Sequence, residues 1–409
     1  MNNQLNPRHL PFLFCAGLAA CSADTPPVAE NATPFTAAGL AAAAVIDADM
    51  IREVVVEISD DRYAGRAPGT PGDVATREYL AEQLAGAGFR PGGENGSWEQ
   101  PFDLVSVTAR PPETWTFTRE DTEIVFEQSS EFVAASGVQS TQAALENAEL
   151  VFVGYGIQAP EYDWDDYKGV DVSGKILVML NNDPDWDPDL FEGITRLYYG
   201  RWSYKYEIAA ELGAAGAIII HTTPSAGYPW QVVQTSWGGP QFELPAADEP
   251  RIQIQAWLTE DAASRLMTAS GQDLEALTEA ARSRDFQPVA LGTTTSLRMP
   301  VEISATQTAN VIGVLPGSDP ALADEYVIYT AHHDHLGIGE PSPNGDPDDR
   351  IYNGALDNAS GVGVVMSIGH AFAALETPPR RSIMLLFVGA EEQGLLGSAF
   401  YAANPTVPP

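Results

Sequence analysis

An α/β fold built on a mainly parallel sheet is what this sequence predicts, and three observations carry the prediction. Residues 326–331 (Tyr-Val-Ile-Tyr-Thr-Ala) and 382–388 (Ser-Ile-Met-Leu-Leu-Phe-Val) are short β-branched and aromatic runs, the composition of buried strands. Between them, residues 361–375 are apolar nearly all round and open after Asn358-Ala-Ser-Gly361, a good helix start. Strand, loop, helix and strand in that order form the βαβ unit of a parallel sheet.

Taken in order, the chain opens with Arg8 and His9 before an apolar run over residues 10–20, too short to span a bilayer and suited to a signal peptide. The run ends Leu18-Ala-Ala-Cys21, which resembles a bacterial lipoprotein signal with Cys21 as the lipidated first residue; ordinary cleavage and secretion is the alternative. Cys15 and Cys21 are the only cysteines, so an acylated Cys21 leaves neither thiol nor disulfide. Residues 21–36 are rich in Pro, Ala and Thr and read as a tether. Helical composition resumes over 37–59, and residues 62–72 form a Gly/Pro-rich loop. A helix follows over 73–87 with Leu80, Leu84 and Ala87 on one face and Gly88 as its stop. The loop glycines lack a Lys-Ser/Thr ending, so they are not read as a phosphate cradle.

The formal charge is −35, and the chain has only three lysines, Lys168, Lys175 and Lys205. Such a surface repels phosphate backbones and argues against nucleic acid as a partner.

From residue 131 to 298 the pattern changes to Gly-punctuated strands with one clear helix. Residues 151–156, 174–180 and 213–220 read as strands, and 205–212 as the helix. His221 is a strand-end histidine, not a ligand. Trp164, Trp186, Trp202, Trp230, Trp237 and Trp257 are read as core and loop packing rather than a cleft. After residue 298 a strand is expected over 310–315. The acidic loop 339–350, with Asp346, Asp348 and Asp349, is read as solvated, and His370 as a packed core histidine.

Chemistry concentrates in three clusters: Ala331-His-His-Asp-His-Leu-Gly337, Ala355-Leu-Asp-Asn-Ala-Ser-Gly361 and Gly389-Ala-Glu-Glu-Gln-Gly-Leu-Leu-Gly-Ser398. Ligands of parallel sheets sit beyond the carboxyl ends of the strands, so all three should converge on one rim. Imidazole and carboxylates together suit zinc or a similar divalent ion. Two adjacent glutamates can divide the work, one ligating and the other moving a proton. An Asp two residues after a His can hold the other ring nitrogen. By composition alone His332, His333 or His335 could be the ligand.

The pattern H-x-D, D-N-A-S-G and G-x-E-E-x-G-L-L-G-S resembles the di-zinc exopeptidases of the leucyl aminopeptidase, aminopeptidase Y and glutamate carboxypeptidase type. Its spacings fit too, 25 residues from His332 to Asp357 and 34 from Asp357 to Glu391. The resemblance implies a zinc-exopeptidase fold, with a mixed, mainly parallel sheet and helices on both faces. It also implies two zinc ions, His332 and Glu392 ligating one each and Asp357 bridging. Asp334 would be the partner of His332, and Glu391 the general base. Residues 62–72 resemble the amino-terminal part of the same catalytic domain. Residues 143–291 resemble the β-rich protease-associated (PA) domain that many members carry inserted. The expected organisation is a signal over 1–20, a linker over 21–36, catalytic parts over 37–130 and 299–409, and the insertion over 131–298.

The implied activity is hydrolysis of amino-terminal residues from peptides. A carboxypeptidase acting on acidic residues is an alternative, and a non-catalytic module of the transferrin-receptor type another. The family has two further ligands, an Asp and a His, beyond the double-glutamate motif, and the sequence ends at Pro409 before either. The expectation is an incomplete copy that alone binds zinc weakly and is inactive. Oligomeric state is left open.

Overall fold

The computed structural model describes residues 36–339, 341 and 346–408. The expected signal, Cys21 and nearly all of the tether lie outside the described residues. One strand, Val289–Leu315, is shared by two sheets. Its first half pairs antiparallel with Gln142–Phe152; from Val301 it pairs antiparallel with Glu99–Ala109. Only its last residues have the apolar rhythm expected of a strand. Over 291–301, Leu291, Thr293, Thr295, Leu297, Met299 and Val301 are buried and alternate with exposed or half-exposed neighbours. The period of two is there, masked in the sequence by threonines on the buried face.

The βαβ unit forms as expected. Tyr326–His332 and Ser382–Val388 are parallel neighbours, joined through the helix Ser360–Ala373. Ser382–Val388 also pairs with Val311–Leu315 and is buried throughout. Its side chains alternate between two cores. Ile383, Leu385 and Phe387 meet Val54, Leu80, Leu84, Val362 and Met366 from three helices. Met384, Leu386 and Val388 meet Ile312 and Tyr401 on the other face. Burying each such side chain contributes about 1.5–3 kcal/mol, which fixes the strand and the loop that leaves it.

Two expectations need correcting here. Tyr326–His332 is not a buried strand: Val327 and Ile328 are 40% and 43% exposed. It pairs with Ser382–Val388 alone among the described strands, so an apolar run lies at a sheet edge. His370 is half-buried rather than a core residue, since it lies in the last turn of its helix at the rim of the core.

The second sheet orders its strands Phe132–Ser136, Ile254–Thr259, Gly216–His221, Ile176–Leu180 and Gln142–Phe152. The first pair is antiparallel and the others parallel. Four helices of seven residues or more accompany it instead of one: Trp202–Glu211, Trp230–Trp237, Glu260–Ala269 and Leu274–Ala280. Local chemistry explains the two latest. Thr259 and Asp273 cap them by accepting from the amides of Ala262 and Ala276, and Ala262, Ala263, Leu266 and Met267 make one buried stripe. No helix among the described residues is long and apolar enough to cross a membrane.

Candidate metal centre

The parallel pair puts His332 opposite Val388, and Glu391 and Glu392 follow three and four residues later on the same rim. A turn over residues 355–359 brings Asp357 to that rim. Asn358 starts the helix behind it, its Oδ1 accepting from the Gly361 amide at 2.9 Å. His332 Nδ1–H donates to the main-chain carbonyl of Asp334 at 3.2 Å, which leaves Nε2 as the free ring nitrogen. Nε2 lies 3.0 Å from Asp357 Oδ1 and 3.7 Å from Glu391 Oε2.

Asp334 is wholly buried and holds two motifs together. Its Oδ1 accepts from the Glu391 amide at 3.0 Å and its Oδ2 from the Glu392 amide at 3.3 Å. Its Oδ1 is also 3.7 Å from His332 Nδ1, so the carboxylate orients the glutamate loop more directly than the imidazole. Burial pushes the Asp334 carboxyl up to about 7, against the two amides and His332, which favour its ionised form. The two adjacent glutamates differ in surroundings. Glu392 is paired with His335 Nδ1, whereas the Glu391 side chain is one-third exposed and faces the open cleft. Burial raises the Glu391 pKa; His332 lowers it, and Glu392 and Asp357 raise it further.

His333 stands apart from this rim. It is buried behind the sheet, Nε2–H donating to the Ala309 carbonyl at 3.1 Å, with Nδ1 3.8 Å from Asp73. His221 packs against Tyr228, Trp230 and Trp257 at the end of its strand, and it is not among the grouped metal-ligating side chains. Asn310 anchors the glutamate loop from below. Its Nδ2 donates to Gln100 Oε1 and to the Gly397 carbonyl at 2.9 Å, while its Oδ1 accepts from the Gly389 amide. A side chain at Gly397 would meet the Gly389 carbonyl at 2.2 Å, so the loop closes this tightly only on glycine.

Sequence reasoning noted the loop of residues 62–72 but missed Arg66 in it. Arg66 is fully buried and donates to four carbonyls, of His333, Ile58, Asn353 and Gly354. It thereby ties the histidine cluster to the Asp357 turn. Gly65 beside it has φ +69°, and a Cβ there would sit 2.5 Å from the Gly337 carbonyl. Sequence reasoning also put Trp202 and Trp237 in packing. Both line a cleft of about 470 Å³ that includes Glu391 and Glu392, because Trp202 opens its helix and Trp237 closes its own beside the glutamate loop.

The donor set fits a divalent cation. Ligand atoms of His332, Glu391 and Glu392 lie within 4.8 Å of one another. With Nδ1 donating, a neutral His332 turns a lone pair toward the Asp357 and Glu391 carboxylates, a repulsive arrangement that a proton or a metal ion resolves.

Residues 310–408 match the model of Peptidase family M28. The matched peptidase M28 segment is roughly a quarter of the chain and contains all three motif clusters. No curated protein matches the sequence. The fold resembles an aminopeptidase from Aneurinibacillus sp. strain AM-1 at 21% identity and TM-score 0.45, covering 87% of this chain and 66% of that one. It also resembles a zinc aminopeptidase from Bacillus subtilis (17% identity, TM-score 0.36, 88% and 65% covered). A peptidase M28 precursor from Shewanella amazonensis SB2B is similar at 18% identity and TM-score 0.43, with 90% and 70% covered. This chain spans about two-thirds of the length of these structures.

Proposed function

We propose that the protein is a zinc-dependent exopeptidase, an aminopeptidase that removes single residues from the amino ends of peptides. The observation that carries this reading is the convergence of His332, Asp357, Glu391 and Glu392 on one strand-end rim within the segment matched to Peptidase family M28. Two zinc ions are proposed, and His332, Asp357 and Glu392 are the residues that would hold them. Bound zinc supplies positive charge that polarises a peptide carbonyl and acidifies a water. Asp334 keeps the glutamate loop in place, and its main-chain carbonyl sets the His332 tautomer. Glu391, one-third exposed and facing the cleft, takes a proton from the attacking water and returns it to the leaving amine. The second sheet with its helices is read as an inserted protease-associated domain forming the opposite wall of the cleft.

The test uses the full-length protein with added zinc and two chromogenic series, aminoacyl substrates and acyl-peptides. Aminoacyl substrates should be cleaved, a chelator should abolish turnover, and zinc should restore it. No turnover of either series with zinc bound overturns the enzyme reading. A carboxypeptidase is the second reading, favoured by the cationic Arg201 on the cleft wall, and turnover of acyl-peptides alone would establish it.

Placement is proposed from the leader: lipid on Cys21 tethers the catalytic part to a bacterial envelope membrane. More than one acyl chain is needed for stable anchoring. Cys21→Ala should move the protein from the membrane to the soluble fraction. A wild-type protein already soluble, with a different amino terminus, would mean ordinary secretion.

A further inference from the structure

The cleft beside Glu391 has features that the hydrolytic reading does not use. Four of the large apolar side chains left exposed, Trp202, Val232, Leu336 and Leu395, line it together. Its aromatic wall is braced: Trp202 and Trp237 meet edge to face at 6.0 Å, and Trp237 meets the buried Trp257 at 6.4 Å. Apolar side chains gathered in a cleft of about 470 Å³ leave room for one or two residues of a peptide.

Arg201 is the cation of this wall. It precedes the helix Trp202–Glu211, with its main chain fixed by a bond from its amide to the Tyr198 carbonyl and another from the Lys205 amide to its carbonyl. Its guanidinium makes no hydrogen bond or ion pair among the described residues. Arg251, in the loop before the strand Ile254–Thr259, shows the contrast, held by both Glu243 and Glu249. Arg201 lines the same cleft as Glu391 and Glu392. In a chain of net charge −35, Arg201 is the cationic side chain among the described residues lining this cleft, so a substrate carboxylate entering it gains from pairing there.

We propose that this cleft selects peptides presenting a carboxylate next to an apolar side chain, Arg201 pairing with the carboxylate while Trp202 and Trp237 contact the apolar group. The proposal rests on the exopeptidase reading and names its substrate class. A planar guanidinium can take a carboxylate through two parallel bonds, which a lysine cannot. The carboxylate has two sources, the free carboxyl end of a short peptide or an acidic side chain.

Rates on Leu-Phe, Leu-Phe amide and Leu-Glu amide separate them in wild type, R201M and R201K. Wild type should prefer a carboxylate-bearing peptide over Leu-Phe amide by about tenfold in kcat/KM. Leu-Phe as the favoured substrate identifies the chain end, and Leu-Glu amide the side chain. R201M should erase the preference, so that its kcat/KM values on the three peptides become similar to one another, and R201K should restore it in part. Equal rates on all three peptides in wild type overturn the proposal and leave the exopeptidase reading intact. Binding of N-acetylphenylalanine and its amide, followed by tryptophan fluorescence, decides the matter even without turnover. Arg201-dependent preference for the acid supports the cleft, and indifference overturns it.

Discussion

Replacing Glu391 by glutamine lowers kcat by about 10²–10⁴-fold, the range a positioned general base contributes, while metal content and melting temperature stay near wild type. Glutamine keeps the shape of the side chain, and the main-chain bond from residue 391 to Asp334 is unaffected. What disappears is the ability to accept a proton. The neighbouring position should behave differently. Glu392 is paired with His335 and is the glutamate proposed to hold metal, so Glu392→Ala should first reduce metal uptake, and activity only as a consequence. Metal analysis beside single-turnover kinetics separates the two. If Glu391→Gln turned over normally with full metal, the division of labour between the glutamates would be wrong. If it lost metal as readily as Glu392→Ala, Glu391 would be a ligand instead.

Much of the rim was legible in the sequence because local chemistry writes it. An apolar run such as 382–388 states that it is a strand, and Asn358 states where the next helix starts. The order strand, helix, strand then forces His332 and the glutamates to one end of a parallel pair. What stayed hidden depended on distant partners. Residues 326–332 have the composition of a core strand, and nothing local says that one edge is open; Val327 and Ile328 are exposed for that reason. The strand Val289–Leu315 buries threonines, which count as polar until a second sheet covers them. Thr295, for example, accepts a bond from the buried Trp115 ring nitrogen at 2.7 Å. Trp202 and Trp237 have the spacing and composition of packing residues. Only the approach of the glutamate loop turns them into a wall of the cleft. His332 and His333 are neighbours in sequence with opposite fates, one at the rim and one behind the sheet, because consecutive strand residues point to opposite faces.

Arg66 is the extreme case of a residue whose role no local pattern announces, and its removal should have the largest effect on stability. Three of its four acceptors lie more than 260 residues away, on the histidine cluster and on the Asp357 turn. Burial lowers its pKa to about 10, offset in part by Asp334 and Glu392, so it stays charged at neutral pH. Its charge is therefore part of what lets those buried carboxylates exist beside one another. Arg66→Ala removes four bonds, strands buried carbonyls and takes away that compensation. The expected loss is about 3–5 kcal/mol, the cost of leaving buried charged groups without their partner. Arg66→Lys keeps the charge but not the fork, since one ammonium cannot reach acceptors spread over three segments, and should fall between the two. Denaturant unfolding measures the loss, and a zinc titration at a temperature where the variant is folded measures the second consequence. With the His333 and Gly354 carbonyls no longer tied to one side chain, His332 and Asp357 lose their common support, and zinc affinity should drop as well. A variant as stable as wild type with unchanged zinc affinity would show that the two loops hold their positions without Arg66.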